Sequence, residues 1–164
     1  DIAIRYGGGK YPGLEVRHLL PESVQVVCGP QLLSGEHPLK NPAALRHHTL
    51  LHDDNPEQDP TCPDWRMWLK AAGIADVDWT RGPRFNQSSL VLEAAMSGRG
   101  VALAKSTLAR ADLAAGRLVN PFGGRAPVEF AYYVVVPPAK AKLPKVVMFR
   151  DWLIAEAKAT EAAA

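Results

Sequence analysis

The clearest chemistry lies in five consecutive residues, Phe85, Asn86, Gln87, Ser88 and Ser89, directly ahead of the nearly apolar run L-V-L-E-A-A-M. With Phe85-Asn86 closing a strand and Ser88-Ser89 opening a helix, the free first-turn N–H groups carry partial positive charge. The four polar side chains add donors, so this is a place for a carboxylate or similar anion. The helix behind it is apolar almost all round, which would hold the polar end rigidly in the core. The same residues also suit an ordinary cap, in which Asn86 or Ser88 satisfies the helix's own N–H groups.

Two other groupings carry reactive atoms and fit less well. H-H-T-L-L-H-D-D, His47 to Asp54, with Cys62 nearby has the atom types of a zinc site. Adjacent His47 and His48 would diverge on a strand, and no C-x-x-C or H-E-x-x-H spacing is present, so no metal is expected. Ser88 and Ser106 lack the G-x-S-x-G elbow of a serine nucleophile. Asp53 and Asp54 fall at the start of a polar, proline-broken stretch running to Pro60, which reads as a solvated loop. The chain is not expected to be an enzyme, and no cofactor is implied.

The elements that must hold these residues follow from patterning. Ile2–Tyr6, Leu14–Leu20, Val24–Cys28, Thr49–His52, Val101–Ala104 and Ala131–Val136 read as strands. Short helices are expected over Pro38–Arg46, with Pro42 near the start, and over Ser106–Ala114. Thr61 is expected to cap a helix whose buried face is Trp65, Trp68, Leu69 and Ala72, ended by Gly73. A last helix opens at Pro144 with an apolar stripe of Val146, Phe149, Trp152 and Leu153, and its alanine-rich tail beyond Glu156 should fray. Strands alternating with helices argue an α/β fold with a mostly parallel sheet, in which ligands sit at the carboxyl ends of strands.

The 164 residues, 47% of them hydrophobic, suffice for one core or two small lobes sharing a seam. Nineteen basic against seventeen acidic residues give a formal charge of +2, without the concentrated basic face of a duplex-binding module. No apolar run reaches membrane-spanning length, so no membrane partner is expected. Cys28 and Cys62 are too few for a disulfide scaffold and read as free thiols in a reducing, cytoplasmic compartment. The chain opens on Asp1, directly in a strand, as a fragment of a longer protein would.

R-F-N-Q-S-S-L-V-L-E-A-A-M-S-G-R-G-V-A-L resembles the corresponding stretch of LysR-type transcriptional regulators. So, in order, do D-I-A-I-R-Y-G-G-G-K-Y-P-G-L, L-L-P-E-S-V-Q-V-V-C-G-P, W-R-M-W-L-K-A-A-G, A-G-R-L-V-N-P-F, A-Y-Y-V-V-V-P and V-V-M-F-R-D-W-L-I-A-E-A. The likeness is greatest to the branch of glycine-cleavage and β-lactamase activators. It implies an effector-binding domain built like type II periplasmic binding proteins, two α/β lobes joined by crossing strands. Residues 1–20 and 131–164 would form lobe one and the crossing strands, and 21–130 lobe two. The helix-turn-helix and the first strand-helix-strand stretch of lobe one would lie outside the chain. The resemblance implies a small-molecule effector between the lobes and homodimers within a tetramer, with DNA reached only through the helix-turn-helix. Its pocket positions map onto Arg5, Tyr6, Phe85, Asn86, Gln87, Ser88, Ser89, Tyr132 and Tyr133, although strand alternation lets only one of the two tyrosines face a cleft. The branch commonly has Asp where Asn86 stands and Ser where Gln87 stands. Loss of that negative charge makes an anionic effector easier to accept. A solute-binding protein of a transport system would share the fold and is the alternative reading.

Overall fold

The computed structural model describes residues 1–54 and 60–162. In chain order the elements are β1 (Ala3–Gly7), β2 (Glu15–Leu20), β3 (Ser23–Cys28), β4 (Leu50–Asp53), α1 (Trp65–Ala71), β5 (Arg84–Phe85), α2 (Ser88–Met96), β6 (Val101–Lys105), α3 (Ser106–Ala114), β7 (Ala126–Pro127), β8 (Ala131–Val136) and α4 (Pro144–Ala162). They divide into two compact units, Asp1–Glu22 with Val128–Ala164, and Ser23–Pro127.

In the first unit β8 lies between β1 and β2, antiparallel to both. Its β-branched run, A-Y-Y-V-V-V, suits this central place: Val134, Val135 and Val136 are all buried. α4 covers one face, setting Val146, Leu153, Ile154 and Ala157 against Leu19, Leu20, Val134 and Val136. Pro144 sits at the first helical position, where its missing N–H costs nothing. The expected stripe on this helix is only half right. Phe149 and Trp152 are exposed, and Ile154 and Ala157 take the inner face instead. The tail expected to fray is helical to Ala162.

The second unit holds a five-stranded sheet in the order β5-β4-β6-β3-β7. β4 runs parallel to β5 and β6, while β3 runs antiparallel to β6 and β7. The sheets are therefore mixed and antiparallel rather than mostly parallel. Alternate residues face opposite layers. Val26, Cys28, Leu50 and Val101 pack with Trp65 and Leu69 of α1. Val27, Leu51, Ala102 and Ala104 pack with Val91, Leu92 and Ala95 of α2 and Ala109 of α3. Cys28 is fully buried, and burial pushes its thiol up to about 11; Cys28 and Cys62 are both free thiols.

Local signals moved by a few residues. Asp64, not Thr61, caps α1, its Oδ1 accepting from Met67 N at 2.7 Å, and Ala72 is exposed at the helix end. The expected helix around Pro42 is a 3₁₀ turn, Pro42–His47, capped by Asn41. β4 extends to Asp53, so that residue is the end of a strand and not part of a loop. The rest of the proline-broken stretch, 55–59, lies outside the described residues. No described helix is long and apolar enough to cross a membrane.

Candidate functional site

β5 is only two residues long, and it delivers Phe85 to the α2 layer while Asn86 and Gln87 turn out into solvent. Gln87 occupies the N-cap position in extended conformation and makes no side-chain cap bond. Ser88 does not cap either: its hydroxyl donates to Asp53 Oδ2 at 2.5 Å. Asn86, Gln87 and Ser89 are exposed around this helix end. The ordinary-cap alternative is thus not how this turn is built. The negative charge that Asn86 lacks is not absent from the site, because Asp53 brings a carboxylate to the first turn of α2 from the neighbouring strand.

Beside this turn is a cavity of about 170 Å³ at the carboxyl ends of β4 and β6, walled by His52, Asp53, Cys62, Trp65, Trp79, Arg84 and Lys105 among others. That is the place where parallel strands leave room for a ligand. Two of its charged or titratable walls are deeply buried, His52 at 7% and Lys105 at 9% exposure. Both lie on the α1 side of the sheet by strand alternation. His52 Nε2 is 3.1 Å from the Arg81 carbonyl, and Trp65 Nε1 donates to the Leu51 carbonyl at 2.9 Å, so the back of the cavity is fixed. At the rim, Arg84 donates to both oxygens of Asp54, at 3.0 and 3.2 Å. This pair is half-exposed and of little energetic weight. Asp53 and Lys105 also line a smaller cleft with Ser88 and Leu108.

None of His52, Asp53, Arg84 or Lys105 stood among the expected site residues. A signal was present for three of them. Lys105 ends the apolar run V-A-L-A-K, and His52-Asp53 end L-L-H-D, both at strand carboxyl ends. The other helix start nearby, at α3, also has no side-chain cap bond, and its Ser106 is held in a polar network. The Ser106 hydroxyl accepts from Ser23 Oγ and Gln25 Nε2 at 2.8 and 3.0 Å, and Asn120 Nδ2 donates to Gln25 Oε1 at 3.0 Å.

In the first unit, Arg5, Tyr6, Tyr132 and Tyr133 do not share a face. Tyr6 pairs across strands with Tyr132, their rings 5.0 Å apart, and Arg5 pairs with Tyr133. Tyr6 and Tyr132 lie on the α4 side, where Tyr132 packs on the core. Burial, then the carboxylate of Glu22 that it hydrogen-bonds, pushes the Tyr132 phenol up to about 12. Tyr133 lies on the opposite face with His18 and Tyr11, at ring separations of 5.5 and 6.2 Å. Among the described residues no group of three or more His, Cys, Asp or Glu side chains could hold a metal.

A family model described as the LysR substrate binding domain matches residues 1–158. The chain is 42% identical to the glycine cleavage system transcriptional activator of Escherichia coli K12 over 161 residues, which is 98% of this chain and 51% of that protein. It is 33% identical to the transcriptional activator AmpR of Pseudomonas aeruginosa over 163 residues, 99% of this chain and 51% of that protein. It therefore spans about half the length of the curated relatives it matches. The crystal structure of the effector domain of AmpR from P. aeruginosa superposes with a TM-score of 0.73 at 33% identity, covering 99% of this chain and 74% of that one. These likenesses favour a regulator over a transport solute-binding protein, and the chain belongs to the LysR substrate-binding domain family, the effector-binding domains of LysR-type transcriptional regulators.

Proposed function

We propose that this chain senses a small molecule bearing a carboxylate or other anionic group, and that the anion is received at the first turn of α2. The observation that carries this is the helix end itself: nine residues of helix anchored in a core, no side-chain cap, and Asn86, Gln87 and Ser89 exposed around it. The adjacent cavity would take the remainder of the molecule against Trp65 and Trp79, with Lys105 and Arg84 supplying positive charge. The two compact units are proposed as the two lobes of the family, with the effector contacts of the first drawn from one face of its sheet, either Tyr6 with Tyr132 or Arg5 with Tyr133. Effector binding would favour one lobe arrangement and so change how protomers pair in a homodimer or tetramer. DNA would be reached through a helix-turn-helix outside this chain, in the cytoplasm. No catalysis is proposed.

The test uses matched pairs of small carboxylates and their amides, titrated into the chain while thermal unfolding is followed. Carboxylates should raise the midpoint and their amides should not. Ser89→Asp should abolish the effect while keeping the helix, because an acidic residue in the first turn stabilises it. Equal response to acid and amide, or retention of the response in Ser89→Asp, would overturn the assignment.

A further inference from the structure

The cavity at the carboxyl ends of β4 and β6 holds a buried imidazole with one nitrogen left to match. His52 lines the cavity and is only 7% exposed. Its backbone is fixed in the sheet: the His52 amide donates to the Pro83 carbonyl at 3.0 Å, and the residue pairs with Arg84 of β5. Its Nε2 stands 3.1 Å from the Arg81 carbonyl oxygen. A carbonyl oxygen only accepts, so the proton of this bond sits on Nε2. Nδ1 is then left with its lone pair, and no hydrogen bond reaches it from the described residues. An acceptor buried without a partner is disfavoured, and a donor that enters the cavity relieves it.

The other polar walls are otherwise engaged or of the wrong kind. Asp53 accepts from Ser88, Asp54 from Arg84 and Asp64 from the Met67 amide, while the Trp65 indole N–H donates to the Leu51 carbonyl. Lys105, the other buried polar wall, is a donor and cannot serve a ligand O–H or N–H. Trp65, Trp79, Leu51 and Leu103 supply apolar lining. We propose that His52 sets the specificity of this cavity, its Nδ1 accepting a hydrogen bond from a hydroxyl or amine carried on a compact apolar part of the effector. The proposal rests on the effector reading for the use of the cavity, but not on the anion at the α2 turn. A ligand with an ether, halide or methyl group at this place leaves Nδ1 unmatched and is bound less well.

Phenol, aniline and fluorobenzene test it, because they are close in size, only the first two donate a hydrogen bond, and none carries a carboxylate. They are titrated into the chain at pH 8 while the imidazole nitrogens are followed in long-range ¹H–¹⁵N spectra, with the His52 signals identified by their loss in His52→Gln. His52 should show the Nε2–H tautomer, and its Nδ1 resonance should move saturably with phenol or aniline. The tighter of the two tells a hydroxyl from an amine. Fluorobenzene should bind about five-fold more weakly, the worth of about one hydrogen bond. His52→Phe should erase that preference. His52→Gln should keep it, since its amide can donate to the Arg81 carbonyl and still present an oxygen. A proton on Nδ1, equal affinity for all three probes, or no saturable movement of Nδ1 with either donor would overturn the proposal. Failure of carboxylates to bind, with these results intact, would count against the anion site alone.

Discussion

The bond between Ser88 and Asp53 should be worth more than a surface contact, and a double-mutant cycle can measure it. The Ser88 hydroxyl donates to Asp53 Oδ2 at 2.5 Å, both side chains are half-buried, and the bond ties the first turn of α2 to the end of β4. Hydrogen bonds to a charged partner contribute about 1.5–3 kcal/mol, and half-exposure reduces this to about 1–2 kcal/mol. Asp53 also places negative charge at the positive end of α2, for a further ~0.5 kcal/mol. Ser88→Ala and Asp53→Asn should each cost about 1–2 kcal/mol, and the double variant little more than either alone, leaving a coupling of about 1 kcal/mol. Trp65, Trp68 and Trp79 all belong to the second unit and only Trp152 to the first. In a Trp152→Phe background, tryptophan fluorescence during urea unfolding therefore reports the unit that contains the bond. A coupling under ~0.3 kcal/mol, within the additivity of independent sites, would refute the view that Asp53 anchors this turn. Asp53→Asn makes a second, opposite prediction. Removing one negative charge about 5–6 Å from a bound carboxylate should tighten binding by about 1 kcal/mol, roughly five-fold.

Three further outcomes follow from single sites. With its thiol pushed up to about 11 and no exposure, Cys28 should resist a thiol reagent at pH 8 while Cys62, half-buried on the cavity wall, reacts; two fast equivalents without denaturant would contradict this. The Tyr132 phenol is raised from 10.0 to about 12, so its contribution to stability is complete below pH 10 and is lost as pH rises towards 12. Over that window the first unit, followed by Trp152 fluorescence, should lose up to about 2–3 kcal/mol, and Tyr132→Phe should lose less; identical alkaline profiles would exclude the buried phenol as the cause. Gly82→Ala should cost about 3 kcal/mol or more, because Gly82 has φ of 120° and a Cβ there would lie 1.9 Å from the Leu50 carbonyl oxygen; a variant as stable as the parent would show that the turn before β5 is not fixed in this way.

The sequence was informative where local chemistry decides. The β-branched runs of β3 and β8 and the Trp65–Leu69 spacing of α1 fall where their patterns place them. What it did not reveal depends on chain routing. Strand direction in a mixed sheet is set by which strands become neighbours, and alternation of helices and strands overstated the parallel share. β7 is two residues long and leaves no pattern at all. Asp53 was hidden by the prolines after it, so a carboxylate that bonds to the first turn of α2 read as part of a solvated loop. Phe149 and Trp152 match a helical stripe, but α4 is apolar on two faces and periodicity cannot say which one the sheet covers. The opposite-face pairing of Tyr6 with Tyr132 and of Arg5 with Tyr133 is a matter of register, visible only once β1 and β8 are paired.

The central claim is that an anion is received at the first turn of α2, and amide chemical shifts test it most directly. At 17.8 kDa the chain suits two-dimensional ¹⁵N–¹H spectra. On titration with the carboxylate that most raises the unfolding midpoint, the largest saturable shifts should fall at the amides of Ser88, Ser89 and Leu90, and none should appear with the matching amide compound. Saturable shifts elsewhere with these three unmoved would contradict it.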